Sequence, residues 1–289
     1  MKNANIIKVG FLISYDYDLL KQSLPMIYPY ADEIFLAIDK DRKTWKGNAY
    51  QLPEIFFEWI REIDADNKIR IYEESFYLPN FSPIFLETRE RNLLARYMGE
   101  SGWHIQIDAD EYFLNFKEFV DNLKGLKDCS PTIIYAEWVI IFKQDTTGIY
   151  YVNPSELFPV ATNYPFYIYA RKISQEAIKL KMNVKVIHQS WGRNEAELKF
   201  KLKNWGHADD IDWESYLYFW RSVNKDNYKE VKNFHPLSPS LWSDLKYVGF
   251  EKFYFDISDE NFEEEGEEYI ALLEYFENYS MNMKNEITS

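Results

Sequence analysis

Trp103-His-Ile-Gln-Ile-Asp-Ala-Asp-Glu-Tyr-Phe113 reads as a short buried strand that runs into acid. Ile105 and Ile107 stand two apart among residues that suit a strand. The carboxylates follow at Asp108, Asp110 and Glu111. In extended backbone, residues two apart project to the same side, so Asp108 and Asp110 point together while the small Ala109 faces a packed layer. Paired carboxylates at a strand end suit a hard divalent cation, which prefers oxygen ligands. In open α/β sheets, ligands gather at the carboxyl ends of the strands. The tripeptide also occurs at Asp64-Ala65-Asp66, between the helix-like Trp59-Ile60-Arg61-Glu62 and the strand-like Ile69-Arg70-Ile71-Tyr72. That copy reads as a solvated helix-to-strand turn. Context, not the bare D-x-D, singles out the second copy.

Working outward, Ile6 to Ser14 is a near-continuous apolar run, as expected for a parallel strand covered on both faces. A helix over Asp18 to Ile27 follows, weakened near its end by Pro25. Glu33 to Asp39 is a second buried strand that ends on an acid. Leu52 to Ile63 has helical spacing, with Ile55, Phe56, Trp59, Ile60 and Ile63 on one stripe. Ile69 to Tyr72 is a third strand, Pro83 to Met98 a helix, and Trp103 to Asp108 a fourth strand. This alternation indicates a mainly parallel α/β sheet flanked by helices. Further strands are expected over Thr132–Phe142, Phe166–Arg171 and Val184–His188, with a loop-rich cover between Asp145 and Pro165. Helices are expected over Glu195–Trp205 and Trp213–Val223. Phe234 to Ser240 is a turn, and the acidic run Asp259–Glu268 leads into an amphipathic helix over Tyr269–Tyr279. The expected division is a core of residues 1–210 and a helical C-terminal extension of residues 211–289.

The chain has 289 residues, 46% of them hydrophobic and 18% aromatic, which is the composition of a folded protein. Ring faces stack on sugars, although most aromatics fill cores. A net charge of -14 argues against nucleic acid or an anionic membrane as partner. A cation at Asp108/Asp110 would reverse the local field for an anionic substrate. Cys129 is the only cysteine, so an internal disulfide and a cysteine-based zinc site are excluded. No secretory signal or membrane-length apolar run is visible. The expectation is a cytoplasmic location, with peripheral attachment to the inner membrane left open.

The apolar first strand, the second strand ending at Asp39, Arg89-Glu-Arg-Asn92 on a helix and Ile107-Asp-Ala-Asp-Glu111 recur in an order that resembles a GT-A glycosyltransferase. The chain is most similar in this to the family 2-like bacterial enzymes of surface polysaccharide synthesis. The resemblance covers residues 6–113, and 184–207 in part. It implies a Rossmann-like nucleotide-sugar-binding domain and a metal-dependent transfer to a glycan or lipid-linked acceptor hydroxyl. The first strand's end near Ser14 would lie beside the base, and Asp39 would hydrogen-bond the uracil-like or ribose portion. Arg89 or Asn92 would face the nucleotide, Asp108 would contact ribose or the metal shell, and Asp110 would bind Mn²⁺ or Mg²⁺. Asp39 reads equally as a turn residue, and Arg89 as a surface charge paired with a neighbouring glutamate.

A second constellation, Val186-Ile-His-Gln-Ser-Trp-Gly-Arg193, closes another strand and precedes Asn204-Trp-Gly-His207-Ala-Asp-Asp210. The resemblance makes His188 a candidate metal ligand, which would favour Mn²⁺. Arg193 and Lys199 are candidates to neutralise the leaving diphosphate. His207 is a weaker candidate, since Asp210 or Asp212 beside it suits a helix N-cap. Glu137, Asp145, Glu156, Asp209 and Asp210 are all open as catalytic base. The Gln-x-x-Arg-Trp motif of processive synthases is absent. Two other readings stay open: a nucleotidyltransferase and an inactive sugar- or nucleotide-binding protein. Against the first, Ser14-Tyr-Asp-Tyr-Asp18 lacks a glycine-rich basic phosphate loop.

Overall fold

The computed structural model describes residues 6–126, 130–173, 176–257 and 267–288. Cys129 and the acidic run over 259–266 lie outside them. The chain divides into two compact units: Met1–Glu137, Leu157–Lys185 and Asn204–Asp209 make the first, and Trp138–Glu156, Val186–Lys203 and Asp210–Ser289 the second. A single boundary at residue 210 therefore does not describe it. Residues 138–156 and 186–203 also join the C-terminal part, because their strands and turns pack there.

The first unit begins with β1 (Ile7–Ile13), α1 (Leu20–Ile27), β2 (Glu33–Asp39) and α2 (Glu54–Ile63). It continues with β3 (Ile69–Glu74), α3 (Pro83–Met98) and β4 (Trp103–Asp108). Strand β1 has β2 and β4 as parallel neighbours, and β2 pairs with β3 in parallel. In register, Leu12 stands opposite Asp108 and Ile13 opposite Ile38. Asp39 and Asp108 thus leave the sheet at one edge, as the strand pattern requires. On α2, Phe56 and Ile60 are buried but Ile55 is 63% exposed, so the apolar stripe is narrower than its spacing suggests.

Helix α3 starts on a Ser82 side chain that accepts from the Phe85 N–H, with Pro83 in the first turn. It lies close against β1. A Cβ on Gly10 would come within 2.9 Å of both Leu94 Cδ2 and Met98 Sδ. The polypeptide then reverses at Gly102, whose φ of +85° suits glycine and whose Cβ would meet the Ile6 carbonyl oxygen at 2.3 Å.

Beyond β4 come β5 (Glu111–Phe113), α4 (Phe116–Gly125) and the long β6 (Thr132–Asp145). The stretch after Asp145 is not a loop-rich cover. It forms β7 (Gly148–Asn153) and β8 (Glu156–Thr162), because Ile149-Tyr150-Tyr151-Val152 and Phe158, Val160 and Ala161 bury their side chains. Strand β8 pairs antiparallel with β4, His104 facing Thr162. A small hairpin, β9 (Tyr167–Tyr169) with β10 (Lys172–Ile173), precedes β11 (Ile178–His188).

The second unit holds the turn of the β6–β7 hairpin, with α5 (Glu195–Asn204) and α6 (Trp213–Ser222) following in sequence. Strand β12 (Asp244–Val248) pairs antiparallel with β7, so the C-terminal part is not purely helical. Helices α7 (Phe250–Ile257) and α8 (Glu267–Thr288) complete it. Its core is aromatic: Phe142 meets Phe234 at 5.2 Å, and the Trp220 indole donates to the Phe142 carbonyl.

Two glycines separate conformational need from composition. Gly102→Ala should cost about 2–4 kcal/mol, through a strained φ and a backbone clash. Gly125→Ala meets nothing within 4 Å and should be neutral or stabilising by about 0.5 kcal/mol. Urea midpoints of the two variants measure both. Equal losses would contradict the role given to Gly102.

Candidate functional site

The carboxyl edge of the first unit's sheet gathers most of its buried charge. Asp108, at the end of β4, lies between two guanidinium groups. Its Oδ1 accepts from Arg91 Nη2 at 3.1 Å, and its Oδ2 lies 2.8 Å from Arg171 Nη2. Glu111 is fully buried and takes the other contact of Arg171 Nη2, at 2.8 Å. Its second oxygen accepts from the Asp108 N–H, closing the turn between β4 and β5. Asp110, inside that turn, is only 2% exposed. Burial pushes the Glu111 carboxyl up to about 7; Arg171 opposes this, and Asp108 and Asp110 add to it. Burial disfavours charge on Arg171, but Asp108 and Glu111 outweigh it and keep the side chain a fixed cation.

Local structure explains both arginines. On α3, Arg91 shares a face with Leu94, Ala95 and Met98, and a side chain on that face is driven inward. Glu87, one turn earlier, meets its Nε at 3.1 Å and its Nη2 at 3.0 Å. Its Nη1 is buried with no hydrogen-bond partner. Arg171 sits on the β9–β10 turn, and the same helix holds that hairpin. Asn92 donates to the Tyr167 carbonyl and accepts from the Tyr167 N–H, while Thr88 Oγ1 accepts from Ala170 N. Tyr167 is buried against Ala95, Ile133 and Ile173.

The expected nucleotide contacts are placed differently. Asp39 accepts four backbone hydrogen bonds: Oδ1 from Asp41 and Lys43, Oδ2 from Phe76 and Tyr77, all at 2.9–3.1 Å. A carboxylate offers about four lone-pair sites, so Asp39 is a clamp between two loops and has no acceptor left for a base. Arg89 Nη1 donates to the carbonyls of Ser75 and Phe76. Asn92 is occupied by the hairpin. Ser14 is half-buried just past β1, where the Tyr50 hydroxyl holds the Ile13 carbonyl.

The candidate bases are engaged. Glu137 contacts Lys181 at 2.7 Å and Lys185 at 3.9 Å, and exposed Asp209 pairs with Lys46 at 2.5 Å. Asp145, in the second unit, caps the β6–β7 turn by accepting from Thr147, Gly148 and Tyr150. Burial would raise its carboxyl, but these hydrogen bonds hold it below the ordinary range. Glu156 accepts from the Trp242 indole. His188 and Arg193 also belong to the second unit. The His188 ring stacks on Trp138 at 4.3 Å with 5° between planes, and Arg193 Nε donates to the Ser190 carbonyl. Lys199 lies 5.9 Å over the Trp213 ring, and Asp212 caps α6 through the Ser215 N–H.

Sequence reading missed Arg91, Arg171 and Glu90. For the two helix residues a signal exists: α3 buries Glu90, Arg91, Leu94, Ala95 and Met98, and that periodicity places Arg91, not Arg89, on the inner face. Glu90 is 6% exposed and accepts from the Trp45 indole at 2.7 Å. Burial pushes its carboxyl up to about 8, opposed by Trp45 and Arg91 and assisted by Asp39 and Asp108.

A metal fits this donor set only in part. Both Asp108 oxygens already face arginines, so a cation there would share them with two fixed positive charges. Asp110, in the turn after β4, is a hard oxygen donor. Among the described residues, no group of three or more His, Cys, Asp or Glu side chains is disposed to hold a metal. No described helix is long and apolar enough to cross a membrane.

No protein-family model and no curated protein matches the chain. Among solved structures, similarity extends to 4-diphosphocytidyl-2C-methyl-D-erythritol synthase from Anaerococcus prevotii, at 13% identity and a TM-score of 0.32, over 55% of this chain and 70% of that one. A chain described as a glucose-1-phosphate thymidylyltransferase from Bacillus anthracis gives 9% and 0.34, over 64% and 89%. Mannose-1-phosphate geranyltransferase from Thermus thermophilus gives 10% and 0.26, over 76% and 65%. Similarity at this level does not determine activity.

The two D-A-D copies should differ in stability. Asp108→Asn leaves two buried guanidiniums short of charge and should cost about 3 kcal/mol. Asp66→Asn, at an exposed turn, should stay within about 0.5 kcal/mol. Denaturant titration of both variants tests this, and a neutral Asp108→Asn would refute the bracing role.

Glu90 makes a separate prediction. Its folded value near 8 lies above the unfolded one near 4.5, so between these the native state holds a proton that the unfolded state has lost. Stability contributed by this group therefore falls as pH rises, by about 1.4 kcal/mol per unit, and levels off above 8. Against wild type, Glu90→Gln should gain about 3–4 kcal/mol between pH 5 and 8, read from paired unfolding curves. A pH-independent difference would contradict the assignment.

Proposed function

We propose that the first unit is the donor-binding, catalytic part of a nucleotide-sugar-dependent glycosyltransferase of the hexosyltransferase type. The observation that carries this reading is the carboxyl edge. There, parallel strands end together, and Asp108 holds Arg91 and Arg171 in fixed positions beside the buried acids Asp110 and Glu111. Fixed cations at the point where a diphosphate departs stabilise charge without reorganising. An acceptor hydroxyl on a glycan or lipid-linked sugar attacks the anomeric carbon. The bond from that carbon to the diphosphate breaks, and the hydroxyl proton passes to a base. Asp110 would hold Mn²⁺ or Mg²⁺, which when bound adds positive charge at the diphosphate. Asp108 then acts by positioning the two arginines. The reading rests on the first unit alone, and neither His188 nor Arg193 enters it.

The alternative of nucleotidyl transfer predicts a different product, and the segment after β1 speaks against it. Ser14 to Asp18 carries acids and aromatics and runs into a short 3₁₀ turn at Tyr17–Leu19.

The expected result is release of nucleoside diphosphate from a nucleotide sugar, stimulated by Mn²⁺, with no pyrophosphate formed from nucleoside triphosphate and sugar 1-phosphate. Asp110→Asn should lower that release at least about 100-fold while the protein remains folded at the assay temperature. Pyrophosphate release instead would establish the nucleotidyl reading. Binding without either product would make the chain a recognition protein.

A further inference from the structure

We propose that Glu90 determines base specificity at this edge, donating its carboxyl O–H to a carbonyl oxygen of a uracil-type base. The inference deepens the nucleotide-sugar reading and rests on it.

The position comes from packing. Leu94 touches β1 at Gly10, and Glu90 lies one helical turn nearer the N-terminus of α3. Met98, at the other end, lies over the start of β1, where Lys8 donates to its carbonyl. The helix therefore runs against the strands, and Glu90 stands towards their carboxyl ends. One long loop closes around it. The loop after β2 supplies Trp45, whose indole donates to Glu90 Oε2 at 2.7 Å and fixes the carboxyl plane. It also supplies Tyr50, whose hydroxyl is anchored on Ile13. Glu90 Oε1 takes no hydrogen bond from any described residue, although the side chain is more than nine-tenths buried.

The charged and titratable groups around it are Asp39 from β2, Asp108 from β4, Tyr50 from the loop and Arg91 from its own helix. Burial and the two aspartates keep Glu90 protonated at neutral pH, against the pull of Trp45 and Arg91. An indole N–H only donates, so Oε2 serves as acceptor and Oε1 carries the proton. A neutral carboxyl donates, whereas a carboxylate only accepts. Uracil presents a carbonyl at C4, and cytosine presents an amino group there. The protonated side chain therefore favours the first, and adds no repulsion toward a diphosphate in a chain already at -14. A buried group matched to one base and left unpaired by the other is a strong source of discrimination.

The test is calorimetric binding of UDP and CDP at pH 6.5, 7.5 and 9 to wild type, Glu90→Gln and Glu90→Leu. Wild type should prefer UDP about tenfold at pH 6.5, the size of one ordinary hydrogen bond. The preference should shrink at least about fivefold by pH 9. Glu90→Gln retains a donor and the ligand's own titration but not the carboxyl proton, so its preference should not track that pH change. Glu90→Leu should bind UDP about tenfold more weakly at pH 6.5. Unchanged UDP binding by Glu90→Leu, or the same UDP-to-CDP pH profile in wild type and Glu90→Gln, overturns the specificity role while nucleotide binding stands. If Glu90→Leu does not fold, the comparison of wild type with Glu90→Gln decides. No binding of either nucleotide by wild type overturns the nucleotide reading and this inference with it.

Discussion

One carboxylate, Asp108, faces two arginines that arrive from different elements, and much of the first unit is arranged to make that meeting possible. Arg91 is carried inward on the apolar face of α3, while Arg171 rides on a hairpin tied to the same helix by Thr88 and Asn92. Isolated buried charges are costly, and paired ones are tolerated only when hydrogen bonds satisfy them well. Glu87 and Glu111 supply those further bonds. The helix, the hairpin and the end of β4 are consequently interdependent: displacing any one exposes an unmatched ion in the other two.

The interior behind this cluster is polar along one line. His104, Gln106 and Asp108 alternate on β4 with Trp103, Ile105 and Ile107, and all except Asp108 are buried. His104 Nε2 meets the Gly99 carbonyl at 2.7 Å. Burial and the neighbouring Lys8 lower this imidazole to about 4, so it is neutral. Gln106 donates to the Arg91 carbonyl, joining the strand to the middle of the helix, where the charge is carried. Under α3, β4 is therefore joined to the helix by hydrogen bonds, whereas Leu12, Phe35 and Ala37 of β1 and β2 pack on Leu94 and Met98 by area.

The parallel sheet was legible because continuous apolar runs and helical stripes are local signals; β2, α3 and β4 have the bounds that their spacing predicts. The contrast between the D-A-D copies was legible too. Asp64 accepts from the Lys68 and Ile69 N–H groups in a turn, and Asp66 is exposed. What failed depended on longer range. Prolines suggested a loop where β7 and β8 form; Pro154 falls between the strands, and Pro159 lies within β8 ahead of Ala161 and Thr162, which pair with β4. Asp39 ends a strand as expected, but its four hydrogen bonds come from two separate loops. Arg171 carries no local mark at all, since its role depends on a hairpin folding back across α3.

The two units are woven from one thread. The chain passes between them at 137/138, 156/157, 185/186, 203/204 and 209/210. No single cut in the gene separates them, so neither can be inherited, exchanged or expressed as one uninterrupted fragment. During synthesis, β4 leaves the ribosome long before its antiparallel neighbour β8, with the β6–β7 hairpin emerging in between. Such distant pairing makes completion of the sheet a late event and slows folding relative to local helix formation. A truncation after the acidic edge would retain every residue of the D-A-D strand but omit Arg171, leaving Asp108 without one of its two arginines.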